Sequence, residues 1–269
     1  MREKTHEILT SLCLKGMEKV LDRELNLAEK EGTGISEVLY RLLCEESAHR
    51  QHRSMLYRLN DAKIPYDWTL KTFPFQKQPG VQKSQIMSLA GLSFIDQAQN
   101  IVFIGEPGTG KTGLAIGLLR QAIVNGYRGR FYNAQDLLDE LYTSLVDRST
   151  PKLVRRICNY PILLIDELGY LTLKPEQINA FFKLMGERYG KTTTIITTNL
   201  EYPDWYELFQ KKSLVDALLD RLKHRCITIK IDGPSLRTPS IPYRNAPHGQ
   251  IPAIADAHHA SEQLQNGSL

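Results

Sequence analysis

No stretch of this 269-residue chain reaches eighteen consecutive apolar residues, so nothing in it predicts a membrane-spanning helix. The opening Met1-Arg2-Glu3-Lys4-Thr5-His6-Glu7 lacks the apolar run of a secretory signal. A cytoplasmic protein with no membrane partner is the expectation. Cysteine is scarce: Cys13, Cys44, Cys158 and Cys226 are far apart and form no C-x-x-C pair, which argues against a disulfide framework or a zinc site. Their apolar neighbours predict reduced thiols in the core. Charge of one sign is also lacking. Lys and Arg number 34 against 30 Asp and Glu, and a net charge of +4 permits a nucleic-acid partner without requiring one. There is no internal repeat and no base-reading motif such as a zinc finger. The length suffices for one large domain with a small appendage.

What the chain does have is the stretch Gly105-Glu106-Pro107-Gly108-Thr109-Gly110-Lys111-Thr112, which meets G-x-x-x-x-G-K-[ST] at every fixed position. The apolar run Ile101-Val102-Phe103-Ile104 before it predicts a buried strand, and Leu114, Ala115, Leu118, Leu119 and Ala122 after it have helical spacing. A loop between strand and helix is the context in which this pattern works. Its glycines let successive N–H groups turn toward phosphate oxygens, and the helix start adds the positive end of its dipole. Lys111 would reach the β- and γ-phosphates of ATP, and the Thr112 hydroxyl would ligate Mg²⁺.

A second apolar run, Ile162-Leu163-Leu164-Ile165, ends in Asp166-Glu167. Such a strand carries Asp166 to the Mg²⁺ shell, and Glu167 beyond it can orient or deprotonate a water. The β-branched run Thr192 to Thr198 closes on Asn199. That amide can hold the attacking water or sense the γ-phosphate, or it can cap the following turn. These strands alternate with helical patterns, so the chain predicts an α/β fold with a parallel sheet. Further helices are predicted around Leu137, Leu138, Leu141 and Leu145, over Lys152 to Cys158, from Pro175, and around Leu214 to Leu222. A last strand is predicted over Cys226 to Ile231.

Residues 5–62 read as two packed helices. Met17, Val20, Leu21, Leu25 and Ala28 share one face, and a second helix that Ser36 can cap carries Leu39, Leu42, Leu43, Met55, Leu56 and Leu59. Residues 1–68 are therefore expected to form a small helical N-terminal domain and 69–237 the nucleotide domain. The linking stretch is rich in proline and aromatics and is expected to pack down. From Thr238 to Leu269 the composition turns polar, Pro-rich and Gly-containing, which predicts a disordered tail in which His258-His259 lack further metal ligands. Arg50, Arg53 and Arg58 lie in a span with no acid, and Lys152, Arg155 and Arg156 share a short helix. Each group can contact a phosphate backbone or can be a solvated helix face.

The constellation resembles an AAA+ ATPase domain, and more closely the IstB-like transposition helper ATPases of bacterial insertion sequences, which are similar to DnaC-type helicase loaders. The resemblance runs from about residue 1 to 237. It is carried by Leu92-Ser93-Phe94-Ile95-Asp96, Gly105 to Thr112, Leu164-Ile165-Asp166-Glu167-Leu168-Gly169-Tyr170-Leu171, Thr197-Thr198-Asn199 and Leu218-Leu219-Asp220-Arg221-Leu222. It implies a helper that binds ATP and Mg²⁺, binds double-stranded DNA, forms homo-oligomers and presents a target to a partner transposase. A replicative helicase loader, or an assembly scaffold without significant hydrolysis, are the alternatives. The resemblance also implies that Arg221 completes a neighbouring subunit's ATP site, although an ion pair with Asp220 or Asp216 is the other reading. Two departures from the family pattern stand out. Lys223-His224-Arg225 replaces His-His, and Ser235-Leu236-Arg237 replaces Ser-Tyr-Arg, which puts a second-sensor role for Arg237 in doubt. No full lid domain fits after Ile231.

Overall fold

The computed structural model describes residues 2–169, 171 and 173–237. The expectations for the tail after Arg237, and for Tyr170, lie outside the described residues. Three helices open the chain: α1 (Arg2–Ser11), α2 (Lys15–Glu31) and α3 (Ile35–Asp61). Two were expected from the sequence. The extra break comes at Cys13, whose left-handed φ of 57° ends α1 and turns the chain back into α2. Leu9, Met17, Leu21, Val38 and Leu42 make the small core between them. Leu39, Leu43 and Leu56 are exposed, contrary to expectation, because the stripe of α3 that meets α2 is Val38, Leu42 and Glu46. Glu46 is buried and accepts from the backbone N–H groups of Gly16 (2.7 Å) and Met17 (3.3 Å), so it serves the N-terminus of α2 from another helix. Its bond from Arg50, with those from the α2 backbone, holds its carboxyl below the usual range against the opposing effect of burial.

The predicted core thiols need correction as well. Cys13 and Cys44 are exposed, one in the α1–α2 turn and one on the outward side of α3, while Cys158 and Cys226 are half-buried.

After the linker come the short helices α4 (Lys83–Leu89) and α5 (Ser93–Asp96), then β1 (Asn100–Gly105), α6 (Lys111–Val124), β2 (Gly129–Asn133), α7 (Ala134–Val146), α8 (Thr150–Cys158) and β3 (Ile162–Asp166). The chain continues through α9 (Pro175–Arg188), β4 (Thr193–Thr198), α10 (Trp205–Phe209), α11 (Lys212–His224) and β5 (Cys226–Ile231). The sheet is fully parallel among these strands, in the order β2-β3-β4-β1-β5. Residues on a strand alternate between faces, and here both faces are covered, which is why the strands read as continuous apolar runs. Ile101, Phe103, Leu164 and Ile195 pack with α4, α5 and α6. Val102, Ile104, Leu163, Ile165 and Ile196 pack with α7 to α11.

Leu70, Phe73 and Val81 of the linking stretch are buried, so it does pack down. The end of α3 is fixed to the edge strand β2: Phe131 N–H donates to Ala62 O at 2.8 Å, and the Arg130 guanidinium to Asp61 O at 2.7 Å. Residues Met1–Arg237 thus make one compact unit.

Candidate nucleotide-binding site

The sheet order decides which side chains can meet. Because β4 lies between β1 and β3, the loop after β1 and the acids after β3 flank the last residues of β4. Gly105 ends β1, and α6 begins at Lys111 with Gly110 as its N-cap at φ 93°. That left-handed conformation, with Phe73 and Leu236 pressed close to its α-carbon, leaves no room for a side chain at 110. The Lys111 ammonium donates to Gly105 O (2.7 Å) and Glu106 O (2.9 Å). Partial burial pushes the ammonium down, and the charges of Asp166 and Glu106 act against this.

Across the site, Asp166 Oδ1 accepts from the Thr112 hydroxyl (2.8 Å) and the Thr197 hydroxyl (2.5 Å). Burial nonetheless pushes the Asp166 carboxyl up, the two hydroxyls acting against the shift. A buried carboxylate beside a threonine hydroxyl, both hard oxygen donors, fits Mg²⁺ held jointly with phosphate oxygens. Glu167 has a left-handed φ of 61°, an uncommon conformation for a residue with a side chain. Two contacts hold it there. Its N–H donates to Thr197 Oγ1 at 3.0 Å, and its Oε2 accepts from Asn133 Nδ2 at 3.0 Å.

The roles of two of these residues are not legible from sequence. Thr197 links Asp166 and Glu167 through one hydroxyl, and only its place in β4 beside β3 reveals this. Asn133 caps α7, its Oδ1 accepting from Gln135 N–H at 3.0 Å. The other end of the same amide holds Glu167. A polar residue closing a strand adjacent to the acid strand was the available signal.

The Asn199 amide lies against Gly169, where a β-carbon would stand 2.2 Å from its Oδ1. The strand ends thus bring Thr112, Asp166, Glu167 and Thr197 into one bonded group, with Lys111 bonded to the loop carbonyls next to it and Asn199 beside the turn after Glu167. Arg221 is elsewhere. It lines a hollow with Asn100, Arg188 and Thr194, at the starts of β1 and β4, and among the described residues it makes no ion pair. Tyr206 donates to Asp216 instead.

The basic candidates separate by their partners. Arg50 pairs with Glu46 at 2.7 Å, Arg58 donates to Ser54 and to Ile123 O, and Arg156 pairs with Glu140. Arg53, Lys152 and Arg155 are exposed and make no ion pair among the described residues.

Comparison with known proteins decides the family. The profile of the IstB-like ATP-binding proteins matches residues 7–240. The chain belongs to the IstB-like ATP-binding protein family. An IstB-like relative named for ATP binding, from insertion sequence IS5376 of Geobacillus stearothermophilus, is 36% identical over 88% of this chain and 94% of its own. A second, from IS21 of Pseudomonas aeruginosa, is 34% identical over 86% of this chain and 87% of its own. Among solved structures, the DnaC helicase loader superposes with a TM-score of 0.54 at 24% identity, over 64% of this chain and all of that one. DnaI gives 0.53 at 18% identity, over 62% of this chain and 92% of that one. These two likenesses show an AAA+-like P-loop fold. Family membership makes this IstB-like chain an ATP-binding protein. No helix among the described residues is long and apolar enough to cross a membrane.

Proposed function

We propose that this IstB-like chain is an Mg²⁺-dependent ATPase that assembles on duplex DNA and presents a target to a partner transposase. The observation that supports the reading is the Asp166–Thr197–Glu167 link beside Thr112, two acids joined through one hydroxyl at one strand end, the first of them suited to hold Mg²⁺. In this reading the loop N–H groups and Lys111 bind the phosphates, while Thr112 and Asp166 hold Mg²⁺, which neutralises phosphate charge when bound. Glu167 takes a proton from water, Asn199 orients that water, and Arg221 serves a neighbouring copy. The insertion-sequence origin of the relatives supports the transposition role. Arg53, Lys152 and Arg155, which make no ion pair among the described residues, are the side chains best placed to meet DNA phosphates. Arg50, Arg58 and Arg156 contribute less because their charges are engaged within the chain.

Sedimentation of the purified protein with long duplex DNA, with and without ATP, tests this. Co-assembly with duplex that ATP strengthens and salt steeply weakens is expected. Assembly only with a replicative helicase would overturn the transposition reading.

A further inference from the structure

A loop that turns its N–H groups toward an anion must turn carbonyls the other way, and those carbonyls need donors of their own. In this chain two come from outside the loop. Leu236 N–H donates to Gly108 O at 2.8 Å, and the Gln78 side-chain amide donates to Thr109 O at 3.0 Å. The same Gln78 nitrogen donates to Pro234 O, also at 3.0 Å. Gln78 is 0% exposed, and both of its amide hydrogens are thereby used. Among the described residues its Oε1 has no hydrogen-bond partner, and it lies against Gly233, where a β-carbon would stand 1.7 Å away. The backbones join at a neighbouring point too, since a β-carbon on Gly80 would stand 2.3 Å from Asp232 O.

We propose that Gln78 is a positioning residue that holds the phosphate loop from behind and couples ATP binding to the seating of residues 233–237. Three segments meet at this one amide: the stretch before β1, the loop after β1 and the segment after β5. A buried glutamine with an orphaned acceptor is costly as mere packing, because an apolar side chain of its size would leave no oxygen unpaired. What it supplies is two donors in fixed directions toward two carbonyls of distant segments. The segment it holds runs on to Leu236, whose N–H is the donor to Gly108 O in the loop. Coupling of this kind is reciprocal: if seating 233–237 favours the loop geometry that binds phosphate, bound ATP must favour the seated segment.

This rests on the nucleotide-site reading, so Lys111→Ala serves as its separate control. Loss of ATP binding in that variant, with wild-type binding intact, establishes the site whatever Gln78 does. Gln78→Ala is expected to weaken ATP roughly ten-fold, the factor that one hydrogen bond of ordinary net strength carries. Gln78→Glu gives the sharper readout. The neutral acid can donate one O–H to a carbonyl, whereas the carboxylate faces two carbonyls and donates nothing. Burial raises the carboxyl of such a variant, so its affinity relative to wild type should be near normal at pH 5 and fall as pH rises through the raised value. A merely structural defect would show no such pH-dependent recovery. In the wild-type protein, hydrogen exchange of the peptide covering 232–237 should slow when ATP is added. Unchanged affinity in Gln78→Ala, a flat pH ratio in Gln78→Glu, or exchange at 232–237 that ignores ATP would each overturn the proposal. The exchange measurement needs no variant to fold.

Discussion

Asn133 at the end of β2 donates to the Glu167 carboxylate at 3.0 Å, so the acid proposed to act on water is held by the edge strand, which β3 and β4 separate from the β1 that leads into the phosphate loop. A hydrogen bond to a charged acceptor is worth about 1.5–3 kcal/mol and favours the held position of the carboxylate. Asn133→Ala should release it, leaving ATP affinity within about two-fold while basal turnover rises by a factor of up to about ten. Glu167→Gln should do the opposite, binding ATP normally and turning over roughly a hundred-fold more slowly. Steady-state hydrolysis beside equilibrium titration with a fluorescent ATP analogue checks both. Near wild-type turnover in Glu167→Gln would make Glu167 a structural acid.

Asp166 gives a pH-dependent prediction. Burial places its folded-state value above the ordinary aspartate range, so the folded protein prefers the protonated acid. The stability this supplies is complete below the ordinary value and is lost as pH rises through the raised one. At pH 8 the metal-free protein therefore bears the full cost of a buried carboxylate, and Asp166→Asn does not. The variant should melt about 2–4 °C higher at pH 8 in the presence of a chelator, with the gain shrinking toward pH 4, since one kcal/mol moves a domain of this size by about that much. It should also lose Mg²⁺-dependent ATP binding. Melting curves at the two pH values read the first effect, and ATP titration with and without Mg²⁺ reads the second.

Arg188 is the stability counterpart. It is buried at 1% exposure, makes no ion pair among the described residues, and donates to Ile157 O, Tyr160 O, Thr193 O and Thr194 Oγ1. Its fork ties the end of α8 to the start of β4. Burial pushes the guanidinium down to about 10, which still leaves it charged through neutral pH. Arg188→Ala orphans several buried acceptors and should cost about 3–5 kcal/mol. Arg188→Lys should recover little, because one ammonium cannot match a planar fork. Urea unfolding measures both, and the loss should be flat between pH 6 and 9.

These residues show where the sequence was legible. Strand, loop and helix at 101–122 declared themselves because buried parallel strands are apolar without interruption and the phosphate loop has fixed spacing. Asp166 and Glu167 were visible for the same reason. The bridging roles of Thr197 and Asn133 were not, because they come from strands that are distant in sequence and adjacent only in the sheet. Arg188 reads as one more basic residue at a helix end until the burial of its surroundings is known. The N-terminal helices were misjudged where tertiary contact overrode pattern: Glu46, an acid, occupies the buried stripe of α3, and Leu39 and Leu43 do not. The left-handed turns at Cys13 and Glu167 leave no sequence mark, since neither residue type favours that conformation.

Arg221 supplies the prediction that separates one subunit from an assembly. It lies beside Gly186 near the end of α9, in a hollow shared with the first residues of β1 and β4, whereas the phosphate loop follows the last residue of β1. An arginine at the opposite end of the strands cannot serve the ATP site of its own chain without refolding. Among the described residues it has no acid partner, so the ion pairs with Asp216 or Asp220 that would make it a local surface residue are absent from the structure. A charged planar fork without an internal partner is suited to a γ-phosphate presented by a neighbouring copy. Arg221→Ala should therefore bind ATP normally, keep its melting temperature within about 2 °C, and hydrolyse ATP at least roughly ten-fold more slowly in the assembled state. Mixing Arg221→Ala with Lys111→Ala subunits should restore part of the activity, because some interfaces then pair an intact phosphate loop with an intact arginine. Assembly that forms normally but recovers nothing at any mixing ratio would show that Arg221 does not act between subunits.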